Sequence, residues 1–94
     1  MNNLGWTLAT ATDPKVRDGK AAVEFATKAC ELTAWKQPTY LDTLAAAYAE
    51  AGDFDTSVRR QIEAISLLND ANVKKVYEAR LKLYQDRKPF RDSE

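Results

Sequence analysis

The side chains that could do chemistry are few, and their positions indicate helix capping rather than catalysis. The chain of 94 residues contains no histidine, the commonest general base and metal ligand near neutral pH. Four carboxylates fall in loops and at predicted helix starts: Asp13, Asp18, Asp53 and Asp55. Asp53-Phe54-Asp55 lacks the further ligands of a calcium loop. We therefore expect no metal and no cofactor.

The single cysteine adds nothing to a catalytic hypothesis. Cys30 stands on an apolar stripe between Ala29 and Glu31 with no base beside it, which favours a buried thiol. One cysteine cannot form an internal disulfide. The sequence also offers no nucleophile–base pair and no glycine-rich phosphate loop. We therefore predict that the chain is not an enzyme and has no small-molecule substrate.

Composition and charge favour one globular domain without a nucleic-acid or membrane partner. Hydrophobic residues make up 45% of the chain and charged residues 30%. The 14 basic and 14 acidic residues cancel and are interspersed, so no strong field attracts nucleic acid or anionic lipid. No apolar run approaches the roughly 18 residues of a membrane span. Because the first residues lead directly into a helical pattern, we expect no signal peptide, and the cytoplasm is the default location.

Five segments have helical periodicity, and no run alternates with the period of a strand. The predicted helices cover about 2–11, 19–33, 39–51, 54–68 and 73–85. Asp18 is predicted to cap the second helix, and Gly52 to end the third in a left-handed conformation. Thr39 and Asp42 predict an acidic variant of the capping box at the start of the third helix. Residues 86–94 are predicted to be polar and loosely docked.

The chain matches itself when it is shifted along its own length. At an offset of 35 residues, Ala22-Val23 corresponds to Ser57-Val58, and Ala29-Cys30 to Ala64-Ile65. Small side chains at Ala45, Ser57 and Ala64 predict a close approach of the third and fourth helices. This pattern predicts one domain over residues 1–86, with a polar C-terminal tail at 87–94. Its parts are repeat one at about 2–34, repeat two at about 38–69 and a capping helix at about 72–85.

The second repeat carries a family resemblance. Its small and apolar residues fall where the tetratricopeptide family places those types: Leu44, Ala45, Tyr48, Gly52, Phe54 and Ala64. The segment resembles a tetratricopeptide repeat, a helix-turn-helix unit of about 34 residues. The resemblance covers about residues 3–69 and is weaker in the first repeat, where the loop is longer. It implies an all-α fold of antiparallel helix-turn-helix repeats, stacked as a short right-handed α-solenoid of five helices. A generic five-helix array is the alternative.

The resemblance also implies where a partner binds. In this family the first helix of each repeat lines a concave groove that takes a peptide or protein. The implied groove side chains are Asn2, Trp6, Thr10, Thr39, Asp42, Thr43, Ala46 and Glu50. Trp6 is the clearest anchor, although packing against the third helix explains it equally well. The basic residues with which some members hold a peptide carboxylate are missing. We therefore expect a neutral to mildly acidic groove, suited to an apolar or basic peptide.

Leu4 and Leu8 on the first predicted helix suggest a second function. Repeat arrays tend to need about three units for stability, and only two are predicted here. We therefore expect the chain to be the C-terminal part of a larger protein. The alternative is a structural, self-association element, in which Leu4 and Leu8 form a homodimer or pack on a neighbouring domain.

Overall fold

The fold consists of helices joined by short turns. The computed structural model describes residues 2–91, and the side chains of residues 4–91. Its five helices are α1 (Asn2–Thr10), α2 (Gly19–Leu32), α3 (Pro38–Glu50), α4 (Phe54–Ser66) and α5 (Ala71–Gln85). No strand occurs among residues 2–91. A search of these described helices found none with the length and apolar character needed to cross a membrane. The prediction of an all-α chain with five helices is confirmed.

The helices pack mainly on their neighbours in the chain, and α3 lies at the centre. It contacts α1, α2 and α4, while α5 packs chiefly on α4. The small residues predicted to bring α3 and α4 together, Ala45, Ser57 and Ala64, are fully buried. Ser57 Oγ of α4 donates a hydrogen bond of 2.7 Å to the carbonyl oxygen of Ala45. The predicted close approach is therefore confirmed.

Local signals set several helix ends. Asp18 caps α2, accepting a hydrogen bond of 3.0 Å from the backbone N–H of Ala21. Gly52 follows α3 with φ at 92°, a conformation that glycine adopts without a steric penalty. Asp70 caps α5 through the backbone N–H of Asn72. The caps predicted at Asp18 and Gly52 are confirmed.

The predicted capping box at the start of α3 is wrong. The helix begins at Pro38 with Gln37 as its N-cap, and no side chain caps it. Proline suits the first helical position because its fixed φ is helical and its missing N–H would be unpaired there. Thr39 therefore falls inside the first turn. Asp42 turns inward and is only 4% exposed, so it serves a different purpose.

Residues 87–91, called the C-terminal segment below, fold back onto the helices, while the predicted loose docking of the tail stays a prediction. After α5, Arg87 adopts a left-handed φ of 58°, and the Lys88 N–H donates a 2.9 Å hydrogen bond to the Leu83 carbonyl. This turn sends the segment back toward α1 and α3. Phe90 and Arg91 are half-buried there. Residues 92–94 lie outside the described part of the chain.

Gly19 marks a place where two backbones meet. A Cβ atom at this position would lie 2.7 Å from the Ala51 nitrogen and 2.9 Å from the Glu50 carbonyl carbon. Because these are backbone atoms, the end of α3 would have to shift to make room. We predict that Gly19→Ala lowers the free energy of unfolding by about 1–3 kcal/mol, as measured by urea denaturation.

Gly5→Ala is the matched control for this substitution. The nearest atom to a Cβ at Gly5 is Thr43 Cγ2 at 3.4 Å, an ordinary contact. Since Gly5 lies inside α1, alanine should leave stability unchanged or raise it by up to about 1 kcal/mol. Equal effects of the two substitutions would show that the close approach at Gly19 is absent.

Candidate functional site

Asp42 of α3 is a buried carboxylate held by two other helices. Gln61 Nε2 of α4 donates to Asp42 Oδ1 at 3.0 Å, and Arg80 Nη1 of α5 donates to Asp42 Oδ2. Gln61 Nε2 also donates to the carbonyl oxygen of Tyr77 at 2.9 Å. A charge removed from water needs partners of this kind, because an unpaired buried charge is strongly destabilising. Asp42 thereby ties α3, α4 and α5 together.

Loss of water has the largest effect on the ionisation of Asp42. Burial raises the pKa of Asp42 to about 6, although the Arg80 charge and the hydrogen bonds from Gln61 and Arg80 act to lower it. The folded protein therefore binds a proton at Asp42 more readily than the unfolded chain does.

Arg80 links this carboxylate to a cluster of aromatic rings. Its guanidinium carbon lies 4.8 Å from the centroid of the Trp6 ring and 4.9 Å from that of Phe90. The Trp6 and Phe90 centroids are 5.6 Å apart, and the rings are inclined at 44°. A guanidinium at such distances from an aromatic face is attracted by the ring's quadrupole. Helix α1, helix α5 and the C-terminal segment therefore meet around one cation.

Glu50, at the end of α3, contacts the same segment through charge. Arg91 Nη2 lies 2.7 Å from Glu50 Oε1, and Arg17 Nε lies 3.6 Å from Glu50 Oε2. The Glu50 side chain is 18% exposed and that of Arg91 is 30% exposed. Water and salt weaken the attraction within a partly buried ion pair less than they weaken it within a fully exposed pair. The acidic character predicted for the groove is thus largely neutralised by the chain's own arginines.

Four of the predicted groove residues come together beneath α5 and the C-terminal segment. They are Trp6, Asp42, Ala46 and Glu50, and their surface is called the α1–α3 face below. Ala46 is buried in the same cluster as Tyr84 of α5. Trp6 contacts both Arg80 and Phe90 and is half-buried, so it takes part in internal packing. In this structure the face is covered by the chain itself.

The other predicted groove residues lie elsewhere. Thr10 and Thr43 are buried and donate within their own helices, to the carbonyl oxygens of Trp6 at 2.7 Å and Thr39 at 3.1 Å. Thr39 is exposed on the first turn of α3. Asn2 belongs to α1, but its side chain lies outside the described side chains. Binding through any of these residues stays a prediction.

The two leucines predicted to mediate self-association differ in their surroundings. Leu4 is 48% exposed, whereas Leu8 packs against the buried cluster that contains Ala9. Leu4 is therefore available to a second surface, and Leu8 serves the chain's own core. Self-association stays a prediction.

Residues that contact the α1–α3 face from the C-terminal end were missed by sequence reasoning. Arg80 and Arg91 stand among the interspersed charges that sum to zero, so no local pattern distinguished them. Phe90 carried the one available signal, because an aromatic residue after Pro89 is unusual in a polar tail and favours docking.

Comparison of the chain with protein-family models, with curated proteins and with solved structures found no match. Among the described residues, no group of three or more histidine, cysteine, aspartate or glutamate side chains could hold a metal ion. The function must therefore be argued from the α1–α3 face and from the sequence pattern.

The raised pKa of Asp42 predicts an unusual pH dependence of stability. Because the folded-state pKa of about 6 exceeds the ordinary value of 3.8, the stability that protonation contributes is full below pH 3.8 and lost as pH rises through 6. We predict that the free energy of unfolding of wild type falls relative to that of Asp42→Asn as pH rises from 3.8 through 6. Urea denaturation at a series of pH values measures the difference.

Asp53→Asn is a control of opposite sign. Hydrogen bonds from the side chain and backbone of Thr56 lower the pKa of Asp53, so its stabilisation is present above its ordinary pKa and lost as pH falls. Wild type should therefore gain stability relative to Asp53→Asn as pH rises. If wild type also gained stability relative to Asp42→Asn as pH rises, the effect of the Arg80 ion pair on the pKa of Asp42 would outweigh the effect of burial.

The Tyr84 hydroxyl, unlike the Asp42 carboxylate, is buried without a hydrogen-bond partner among the described residues. Tyr84 is fully buried, and no hydrogen-bond partner for its hydroxyl lies within the described structure. Burial raises the pKa of Tyr84. We predict that Tyr84→Phe raises the free energy of unfolding by about 1 kcal/mol, since it removes an unpaired buried group. Tyr40→Phe, at a half-buried ring, should change it by less than about 0.5 kcal/mol. A clearly destabilised Tyr84→Phe protein would reveal a buried partner for the hydroxyl.

Proposed function

We propose that the chain is a tetratricopeptide-like interaction module that binds a peptide or protein partner on the α1–α3 face, without catalysis. The all-α fold of five helices and the repeat pattern over about residues 3–69 support this proposal. Neither is specific enough alone, because both describe packing rather than binding. The observation that carries the proposal is the contact between this face and a non-helical segment of the chain.

That contact has the features of a peptide interface. Phe90 and Arg91 are consecutive residues beyond the end of α5, where the chain is no longer helical. Phe90 packs on the Trp6 ring, and Arg91 pairs with Glu50. An aromatic anchor and a charge-assisted arginine contact are the kinds of interaction that dominate protein interfaces. The face therefore has the shape and charge to hold a non-helical polypeptide.

Self-association is the second candidate function. Leu4 is 48% exposed and Val16 is 41% exposed near the N-terminal end of the fold. At the other end Ile62 and Val76 are each 50% exposed. Apolar surface at both ends of a helical array is what stacking on another copy or domain would cover.

Selection from a random linear peptide library on the immobilised full chain tests the proposal. We predict that selected peptides bind Trp6→Leu more weakly than wild type by at least about 1–2 kcal/mol, the loss typical of an interface anchor. Glu50→Gln should weaken those peptides that carry a cation. Isothermal titration calorimetry measures the affinities, and circular dichroism confirms that each variant remains helical.

Glu63→Gln is the matched control, because Glu63 pairs with Arg60 on the exposed surface of α4. It should leave every affinity unchanged. If the selected peptides bound the folded Trp6→Leu and Glu50→Gln variants as tightly as wild type, the proposed binding face would be wrong. A wild-type dimer that Leu4→Gln makes monomeric, together with no selected peptide, would favour self-association.

A further inference from the structure

We infer that the partner of the α1–α3 face is a non-helical segment carrying an aromatic residue followed directly by arginine. Residues 89–91 of the chain occupy its place and must be displaced before it binds. This inference rests on the proposed function and specifies both its ligand and its regulation.

The aromatic preference follows from the environment of Phe90. Its ring is bordered by the Trp6 ring, with centroids 5.6 Å apart, and by the Arg80 guanidinium at 4.9 Å. An aliphatic side chain would keep the apolar contact but lose the interaction of a ring with a cation. Asp42 holds Arg80 by an ion pair, so the cation remains fixed when the ring leaves.

The preference for arginine follows from Glu50. The carboxylate accepts a hydrogen bond from Arg91 through Oε1 at 2.7 Å, while Arg17 Nε lies 3.6 Å from the other oxygen, Oε2. Glu50 therefore keeps one oxygen for an incoming guanidinium. Because Phe90 and Arg91 are adjacent, the two contacts require the aromatic residue and the arginine in that order and without a spacer.

The C-terminal segment is attached in a way that permits displacement. Within the described residues, its backbone hydrogen bonds run only to the end of α5, from Arg87 to Tyr84 and from Lys88 to Leu83. Side chains alone therefore hold it on α1 and α3. The turn that directs it there, with Arg87 at a left-handed φ of 58°, is closed by these two hydrogen bonds at the end of α5. Release of residues 89–91 therefore leaves both this turn and the helices intact.

The test uses a fluorescein-labelled peptide of residues 86–94 as probe and fluorescence anisotropy as readout. The full chain is compared as wild type, as Phe90→Ala/Arg91→Ala, which frees the face, and as Asp86→Asn/Lys88→Gln, a matched tail variant. We expect the first variant to bind the probe at least about tenfold more tightly than wild type. The reason is that an occupied face lowers apparent affinity in proportion to its free fraction. The matched variant should behave as wild type.

Further measurements identify which contacts the probe uses. A probe with alanine in place of its phenylalanine and arginine should fail to bind, and Glu50→Gln added to the freed chain should weaken the intact probe. Arg91→Gln, a milder change, should tighten binding by a smaller factor, which keeps the test valid if the double variant unfolds. The inference would be overturned if the intact probe bound wild type and the freed chain equally. It would also be overturned if the intact and alanine-substituted probes bound the freed chain equally.

Two other outcomes separate this inference from the function on which it rests. Library peptides that bind the face but lack the aromatic–arginine pair would overturn the inference and leave the proposed function standing. The absence of any peptide ligand would overturn both. If wild type were a dimer and Phe90→Ala/Arg91→Ala a monomer, the inference would be overturned, because the face would bind a second copy of the chain and not a partner peptide.

Discussion

The structure depends on the burial of one carboxylate. Asp42 cannot remain charged inside the protein without donors, and it obtains them from Gln61 of α4 and Arg80 of α5. Arg80 also lies beside the rings of Trp6 and Phe90. The cation that compensates the charge of Asp42 in α3 therefore also contacts α1 and the C-terminal segment. Asp42 thus connects α3 directly to α5 and, through Arg80, to α1 and the C-terminal segment.

Helix α3 packs closely at its centre, whereas side chains alone make the contacts at its edge. Its alanines let the neighbouring helices approach closely, as the hydrogen bond from Ser57 to the Ala45 carbonyl shows. At the rim, by contrast, Phe90 and Arg91 are half-buried and held by side chains. The displacement that we propose therefore requires movement of a few residues and no rearrangement of the helices. Such an edge suits a binding site that is closed until a competing segment arrives.

Local patterns predicted the helices but not the contacts that close the face. Periodicity located the five helices, and the caps at Asp18 and Gly52 were predictable because each acts within a few residues. Asp42 was misread as a cap, since its true partner Arg80 is 38 residues away and no local pattern encodes that pairing. The docking of Phe90 was missed for the same reason. Four of the positions that the family resemblance implied for a groove lie near one another in the structure, but their role in binding stays a prediction, and the resemblance did not indicate that the chain itself covers them.

The most direct test of this account is a nuclear Overhauser measurement between the ring protons of Trp6 and those of Phe90 in the full chain. We expect cross-peaks between the two rings, together with upfield ring-current shifts of the Arg80 side chain that lies beside both. The absence of these cross-peaks, with Phe90 at random-coil chemical shifts, would show that the C-terminal segment does not cover the α1–α3 face. The face would then be open in the free protein, contrary to the account.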